Sequence, residues 1–507
     1  MLRCDRHCMP YHPDFLRQMT ATLYNFFYIY WYETLSALYY LAALWVIFFM
    51  IGKKLDPIKT LSWSIVLIAL PFVGLIFYIF LGQNYRKEKI FSLKEVRDLR
   101  VIDQLSRQQI AMFHKAGQYP PSMERCKNII TLLLNNSKAI FTEYNQVEIY
   151  SDGETTLAAM KAAMEEANDF IHLESYIIEN DRIGNEVKDL LIRKAREGVE
   201  IRVIYDDVGS WNLSKKYVRS LQQEGVEIVP FAKVHLLRRS SMKVNYRNHR
   251  KILVVDGFVG FMGGINVADR YVTGGKFGAW RDTHLRIEGD AVPFLQAIFL
   301  MDWYFVTKKL LGQRKRYYPV GKKQAPCPMQ IASSGPDSDW ASVMQAYFAA
   351  IVQAKDHIYI TTPYFTPNES ILTAIKTASL SGVDVRLIIP ARSDSRLVYS
   401  GTRSYFSELL EAGIKIYLYQ KGFNHSKVMM VDGYFAAVGS ANMDIRSFEH
   451  NFELISLIYD ENITRKLEDQ FHEDISYSRL VRLRWWNKRS GWSKMKEAFA
   501  RLCSPLL

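Results

Sequence analysis

The chain has 507 residues with 65 Lys plus Arg against 52 Asp plus Glu, a formal charge of +13, and 49% hydrophobic residues. That length exceeds one ordinary domain and can bury a large core, and the charge suits an anionic partner, either a membrane surface or nucleic acid. Five cysteines, odd in number and mostly far apart, argue against a disulfide framework and for a catalytic part facing a reducing compartment.

Residues 1–34 read as an N-terminal extension, of which 1–18 precede a second plausible start at Met19. Cys4 and Cys8 lie near His7 and His12, but the spacing fits no zinc pattern, so no metal is expected there. Tyr24, Tyr28, Tyr30, Trp31 and Tyr32 then form a ring belt ahead of an apolar stretch at 35–51, and a second apolar stretch runs over 61–81. Each is long enough to cross a bilayer. Because no small-residue cleavage site follows the first, the expectation is two retained helices, a transmembrane hairpin over 35–82. Six basic residues among 86–100 place the following chain on the cytoplasmic side of a cell membrane, although Lys53, Lys54 and Lys59 sit in the short outward link.

A linking segment is expected over 83–140, then short β runs alternating with amphipathic helices, an α/β pattern. The pattern repeats. GVDVRLIIP at 382–390 resembles GVEIRVIYD at 198–206, and GIKIYLY at 413–419 resembles GVEIVPF at 225–231. Tandem duplication explains this, with one unit over 141–305, a basic linker over 306–325 and a second unit over 326–480. The last segment, 481–507, is basic and Trp-rich and suggests an interfacial helix on anionic lipid, the alternative being a packing helix with a solvated basic face.

Each half carries one chemical motif. His249, Lys251, Asp256, Gly263, Gly264 and Asn266 make H-x-K-x4-D-x6-G-G-x-N, and His425, Lys427, Asp432, Gly439, Ser440 and Asn442 repeat it 176 positions later. A lone histidine beside an apolar run is ordinarily a core residue. The full pattern arises by chance at on the order of one in ten million start positions, so two copies in register exclude that reading. Alternation in HRKILVVD and HSKVMMVD puts each His and Lys on one face of a strand.

Two such strands brought together would surround one phosphate with two histidines and two lysines. One imidazole can attack phosphorus to form a phosphohistidine, and the other can protonate the leaving alkoxide and then deprotonate the incoming alcohol. The lysines, the Asn266 and Asn442 amides, and close donors at Gly264 and Ser440 are expected around the non-bridging oxygens. Asp282 and Glu453, in similar places after each motif, are candidates to hold the histidine rings. Asp256 and Asp432 complete the motif and are expected to brace a turn rather than react. This chemistry calls for neither metal nor cofactor.

The paired motifs resemble those of the phospholipase D superfamily, and the chain from about residue 35 is similar to bacterial cardiolipin synthases. The likeness rests on the two apolar helices, IHLESYII with Glu174, WRDTH, TTPYFTP and GSANMDIRSFEHNFE. The resemblance implies two α/β sandwich domains in pseudo-twofold arrangement about one site. It also implies phosphatidyl transfer between two phosphatidylglycerol molecules, with His249 attacking and His425 as acid and base. Phosphatidylglycerol, other anionic phospholipids and the bilayer are the expected partners. A lipid hydrolase, a serine phosphatidyltransferase, a superfamily nuclease and a non-catalytic scaffold are the competing readings. The apolar hairpin disfavours nucleic acid as substrate.

Overall fold

A computed structural model describes residues 13–52, 57–78, 97–116, 121–231, 246–311 and 315–502. Expectations that fall on Cys4, His7, Cys8 and His12, on Lys53 and Lys54, on residues 79–96 and on the end from Cys503 lie outside these residues. The chain divides into two compact units, Met1–Asn84 and Tyr85–Leu507.

In the first unit one helix runs from Pro13 to Gly52 without a break at residue 35, so the ring belt is part of the same helix. Among the described residues it is the one helix long and apolar enough to cross a membrane, by length and composition. The second apolar stretch is not the single helix expected over 61–81. It forms a helix over Pro57–Ala69, bends, and resumes over Val73–Phe77. Pro71 causes the bend: it has no amide to donate, and it disfavours helical geometry in the residue before it. Phe72 takes a positive φ of 62° at the bend. The two longer helices pack through Tyr39, Ala43, Val46, Met50 and Leu67, and the Tyr39 hydroxyl donates to the Leu67 carbonyl.

The second unit is built on one continuous twisted sheet. Its first half contributes β1 (Phe141–Asp152), β2 (Phe170–Ser175), β3 (Glu200–Asp206), β4 (Glu227–Phe231), β5 (Ile252–Val255), β6 (Val259–Gly263) and β7 (Ala279–Gly289). The second half contributes β8 (Pro326–Ser334), β9 (His357–Thr361), β11 (Asp384–Pro390), β12 (Lys415–Tyr419), β13 (Gly422–Asn424), β14 (Val428–Val431), β15 (Phe435–Gly439), β17 (Glu453–Ile458) and β18 (Ser478–Leu480), while β10 (Phe365–Thr366) and β16 (Met443–Asp444) pair with each other as a separate parallel ribbon. The strands run β1-β7-β6-β5-β2-β3-β4 in one half and β8-β17-β15-β14-β9-β11-β12 in the other, the same order, with β18 at the far edge. β1 and β8 join the halves antiparallel, Phe141 facing Gln330.

Helices cover the sheet because its strands are apolar on both faces: β2, β5, β14 and β17 are buried at every residue. One core lies under the helices of the first half, a second under those of the second half, and a third contains residues of both. The helix Val292–Thr307 enters that shared core, which explains its lack of a polar stripe; Phe299 and Trp303 are fully buried. The segment read as a link is largely helical, and Ile129, Ile130, Leu133 and Leu134 of its helix Lys127–Asn136 belong to the second half's core. Within the segment read as a basic linker, Tyr317 is fully buried, its hydroxyl bonded to Arg202.

Candidate functional site

The motif histidines do not lie on the strands expected to carry them. Ladder pairing in β5 and β14 begins at Ile252 and Val428, just after the two lysines. The two motif histidines pair instead with the opposite half. The His249 amide donates to the Phe452 carbonyl at 2.9 Å, and the His425 amide donates to the Arg281 carbonyl at 2.7 Å. β13 accordingly runs parallel to β7, Asn424 beside Arg281.

This exchange sets up the central pairing. Each of the two expected carboxylates serves the histidine of the other half. His249 Nδ1 donates to Glu453, with both carboxylate oxygens at 3.1 Å. His425 Nδ1 lies 2.7 Å from Asp282 Oδ2. With Nδ1–H held by an acceptor, Nε2 of the ring carries the free lone pair. Asp282 and Glu453 are fully buried.

Burial depresses the proton affinity of both rings. For His249 the loss of solvent outweighs the Glu453 carboxylate; for His425 burial and the Lys427 ammonium bring the pKa down to about 4. Burial alone would raise the two carboxylates. Lys427 and His425 hold Asp282 below its ordinary range all the same, and His249, Lys251 and the Ser440 hydroxyl do so for Glu453. Lys251 falls to about 7 and Lys427 is also lowered, each chiefly by burial. The Lys427 ammonium lowers Lys251 further, and both lysines feel the carboxylates of both halves, so the two motifs form one electrostatic site.

The remaining candidates divide. Lys251 Nζ donates to the His249 carbonyl at 2.6 Å, and Lys427 Nζ sits 2.7 Å from His425 Nδ1. Asp256 and Asp432 stand at the far end of their strands, in left-handed backbone with φ of 51°. Asp256 accepts from the amides of Asn168, Asp169 and Phe170 at 2.7–2.9 Å, and Asp432 from those of Lys355, Asp356 and His357 at 2.8–2.9 Å. They brace turns, as the sequence suggests.

The small residues differ from expectation. Gly264 and Ser440 were expected to present donors to phosphate, but the Gly264 amide donates to Thr283 and the Ser440 amide to Leu454. The Ser440 hydroxyl donates to Glu453 at 2.5 Å. A side chain at 264 would collide with Asp282, because an added Cβ would lie 2.0 Å from its Oδ1. Asn266 is likewise committed, accepting from the Ile177 amide at 3.1 Å and donating to the Tyr271 hydroxyl at 2.7 Å. The Asn442 carboxamide oxygen, in contrast, is buried with no protein partner among the described residues. Glu174 is buried behind the site, accepts from Asn248, and is pushed well above the usual carboxylate range by burial and by Asp302.

Several contributors carry no motif signal. Arg250, between the motif His and Lys, donates from Nη1 to both Asp302 oxygens at 2.5 and 2.7 Å and from Nε to the Glu453 carbonyl at 3.3 Å. Arg281, also from the first half, reaches across to the second, bonded to Asp474 at 2.8–2.9 Å and to Ser426 at 2.7 Å. Aromatic walls enclose the rings: Tyr176 stands 4.9 Å from His249, and Trp280 5.3 Å and Tyr364 6.3 Å from His425. Tyr364 donates to Asp394 at 2.7 Å. An arginine flanking a motif residue was the available clue for Arg250; the aromatics offered none. No group of three or more His, Cys, Asp or Glu among the described residues is arranged to hold a metal.

The family model "Cardiolipin synthase, PLD-like domain" matches residues 160–276 and 347–475, one stretch for each motif, and "Phospholipase_D-nuclease N-terminal" matches 38–83. The cardiolipin synthase of Geobacillus sp. (strain WCH70) is 41% identical over 475 residues, 93% of this chain and 94% of that one. That of Listeria monocytogenes serotype 4b (strain F2365) is 42% identical over 462 residues, 90% and 95% of the two chains. In fold the chain is similar to phosphatidylserine synthase of Haemophilus influenzae Rd KW20, with a TM-score of 0.56 at 15% identity over 76% of this chain and all of that one. Motifs, fold and near full-length likeness together place the chain in the cardiolipin synthase family of phospholipase D-like proteins.

Proposed function

We propose that this chain is a phosphatidyltransferase that joins two phosphatidylglycerol molecules into cardiolipin, releasing glycerol. The observation that carries the reading is the crossed pair of histidine–carboxylate contacts, which leaves two neutral imidazoles in one buried, doubly lysine-lined site.

His249 Nε2 attacks phosphorus as the phosphorus–oxygen bond to glycerol breaks, and His425, in the tautomer protonated at Nε2 with Nδ1 accepting from Lys427, gives its Nε2 proton to the departing alkoxide while Lys427 passes one to Nδ1. The second phosphatidylglycerol then gives its hydroxyl proton to His425, and its oxygen displaces His249. Lys251 and Lys427 bind the non-bridging oxygens and stabilise the charge that grows there. The local contacts favour this division of labour. His249 faces only acceptors at Nδ1, which fixes one tautomer, whereas His425 Nδ1 has an acceptor in Asp282 and a donor in Lys427 at equal distances. A ring whose proton can move between states suits acid–base exchange.

In this reading the two halves are related by a pseudo-twofold axis through the site, the apolar stretches at 35–51 and 61–81 form a two-span hairpin, and the catalytic unit faces the cytoplasm. The identical strand orders support the first. The long apolar helix and the basic residues after it support membrane attachment and the side.

The test is to incubate detergent-solubilised protein with labelled phosphatidylglycerol and excess chelator and to follow the lipids by mass spectrometry. Cardiolipin with glycerol is the expected product pair, absent in His425→Ala. Phosphatidic acid alone would overturn transfer in favour of hydrolysis.

A further inference from the structure

The last helix, Gly491–Leu502, docks through Glu497 and Ala500 and leaves an apolar stripe outward. Glu497 is only 6% exposed and accepts from Arg403 at 3.1 Å and from Arg489. Arg501 pairs with Glu408 at 2.7 Å and lies 4.3 Å over the Tyr405 ring. Trp492 and Phe499, by contrast, are 63% and 65% exposed, and Met495 and Leu502 are also exposed on the same stripe. A helix covering a soluble core shows the opposite arrangement.

The stripe continues onto neighbouring elements. With Leu397 and Arg396 of the helix Arg396–Ser404 it lines a groove of about 560 Å³, and Trp485 is exposed nearby in sequence. From Arg479 to Leu502 the sole carboxylate is the buried Glu497, whereas Arg484, Lys488, Lys494 and Lys496 are exposed. Exposed rings and methyls within a field of uncompensated positive charge complement one surface, an anionic bilayer.

The position relative to the site gives this surface a use. Arg396 and Leu397 directly follow the loop carrying Asp394, which bonds Tyr364, and Tyr364 borders His425. We propose that the stripe formed by Trp492, Met495, Phe499 and Leu502, together with Leu397 and Trp485, inserts into the headgroup region of an anionic bilayer and holds the His425 side of the site against it. Lipid hydroxyls and phosphates can then reach the histidines while the acyl chains stay in the membrane. The proposal deepens the phosphatidyltransferase reading and rests on it for the purpose of docking, though not for docking itself.

The full chain is reconstituted in nanodiscs of brominated phosphatidylglycerol and phosphatidylcholine, and tryptophan quenching is compared with a Trp485→Phe/Trp492→Phe variant. The variant should lose the share of two of the ten tryptophans from the quenched signal; an unchanged quenched signal overturns the proposal. A Met495→Gln/Phe499→Gln variant should lose at least about fivefold in kcat/KM on bilayer phosphatidylglycerol while keeping kcat on a short-chain, monomeric phosphatidylglycerol. Equal loss on both substrates, or on neither, also overturns it. Failure of the transferase reading would show as wild-type protein inactive on both lipids, and the quenching result does not depend on turnover.

Discussion

Substituting Gly264 by Ala tests whether the Asp282–His425 contact matters for chemistry rather than for folding alone. The new Cβ would stand 2.0 Å from Asp282 Oδ1 and 2.4 Å from its Cγ, against the 3.4 Å or more of ordinary contact. The carboxylate must therefore retreat by more than 1 Å, and its 2.7 Å bond to His425 Nδ1 breaks. A misplacement of that size costs about 10²-fold in rate, or roughly 3 kcal/mol in the barrier, while the strain of overpacking costs about 1–3 kcal/mol of stability. The assay compares phosphatidylglycerol with a phosphatidyl ester of p-nitrophenol, whose leaving group needs no protonation. Gly264→Ala should be slow on the first and should still give a stoichiometric burst of p-nitrophenol on the second, because His249 and Glu453 are untouched. Turnover of phosphatidylglycerol within twofold of wild type, in a folded variant, would refute the argument.

The same ester separates the histidines: His425→Ala should retain the burst and His249→Ala should abolish it, the reverse pattern exchanging their roles. Lys251, with a pKa of about 7, should give kcat/KM an alkaline limb near neutrality as the ammonium is lost, and Lys251→Arg should move that limb upward by keeping the charge; an unchanged limb would exclude Lys251 as its source. Asp256→Ala removes three acceptor contacts and should lower stability by about 2–4 kcal/mol, read by denaturant unfolding, with kcat per folded molecule unchanged. His172 and His284, buried and held neutral with pKa values of about 3, bind a proton more readily once unfolded. Their depressed values mean that stability is full above the unfolded pKa of about 6.5 and falls as the pH drops toward 3. His172→Gln should remove about one proton from the pH dependence of unfolding between pH 6 and 4, and an unaltered slope would contradict this.

The candidate site is legible in local spacing: two registered motifs name His249, Lys251, His425 and Lys427, and parallel positions after them point to Asp282 and Glu453, which the fold brings against the histidines. What the spacing hid was the crossing. Whether Glu453 faces His249 or His425 depends on Phe452 pairing with the segment before β5, a contact between residues about 200 positions apart. The spacing points Gly264, Ser440 and Asn266 toward phosphate, whereas the fold packs or bonds them to their neighbours, since motif residues can serve one another as readily as a ligand. The apolar run over 61–81 concealed the break at Pro71, because hydrophobicity records where a segment can sit and not whether its backbone can stay helical. Strand order repeated as the tandem pattern implied, but the burial of helices from the expected link required tertiary packing to see.

The crossed carboxylates also bear on how such a chain can change over generations. A fragment holding one motif would have a histidine without its carboxylate and a carboxylate without its histidine, so one half alone is not half an enzyme. Two copies of such a fragment, joined edge to edge as β1 and β8 are joined, would complete both pairs at once. Once the copies share a chain they are free to diverge, in matched steps within each half: Asp282 beside Gly264 in the first and Glu453 beside Ser440 in the second, each carboxylate still facing the histidine across the seam.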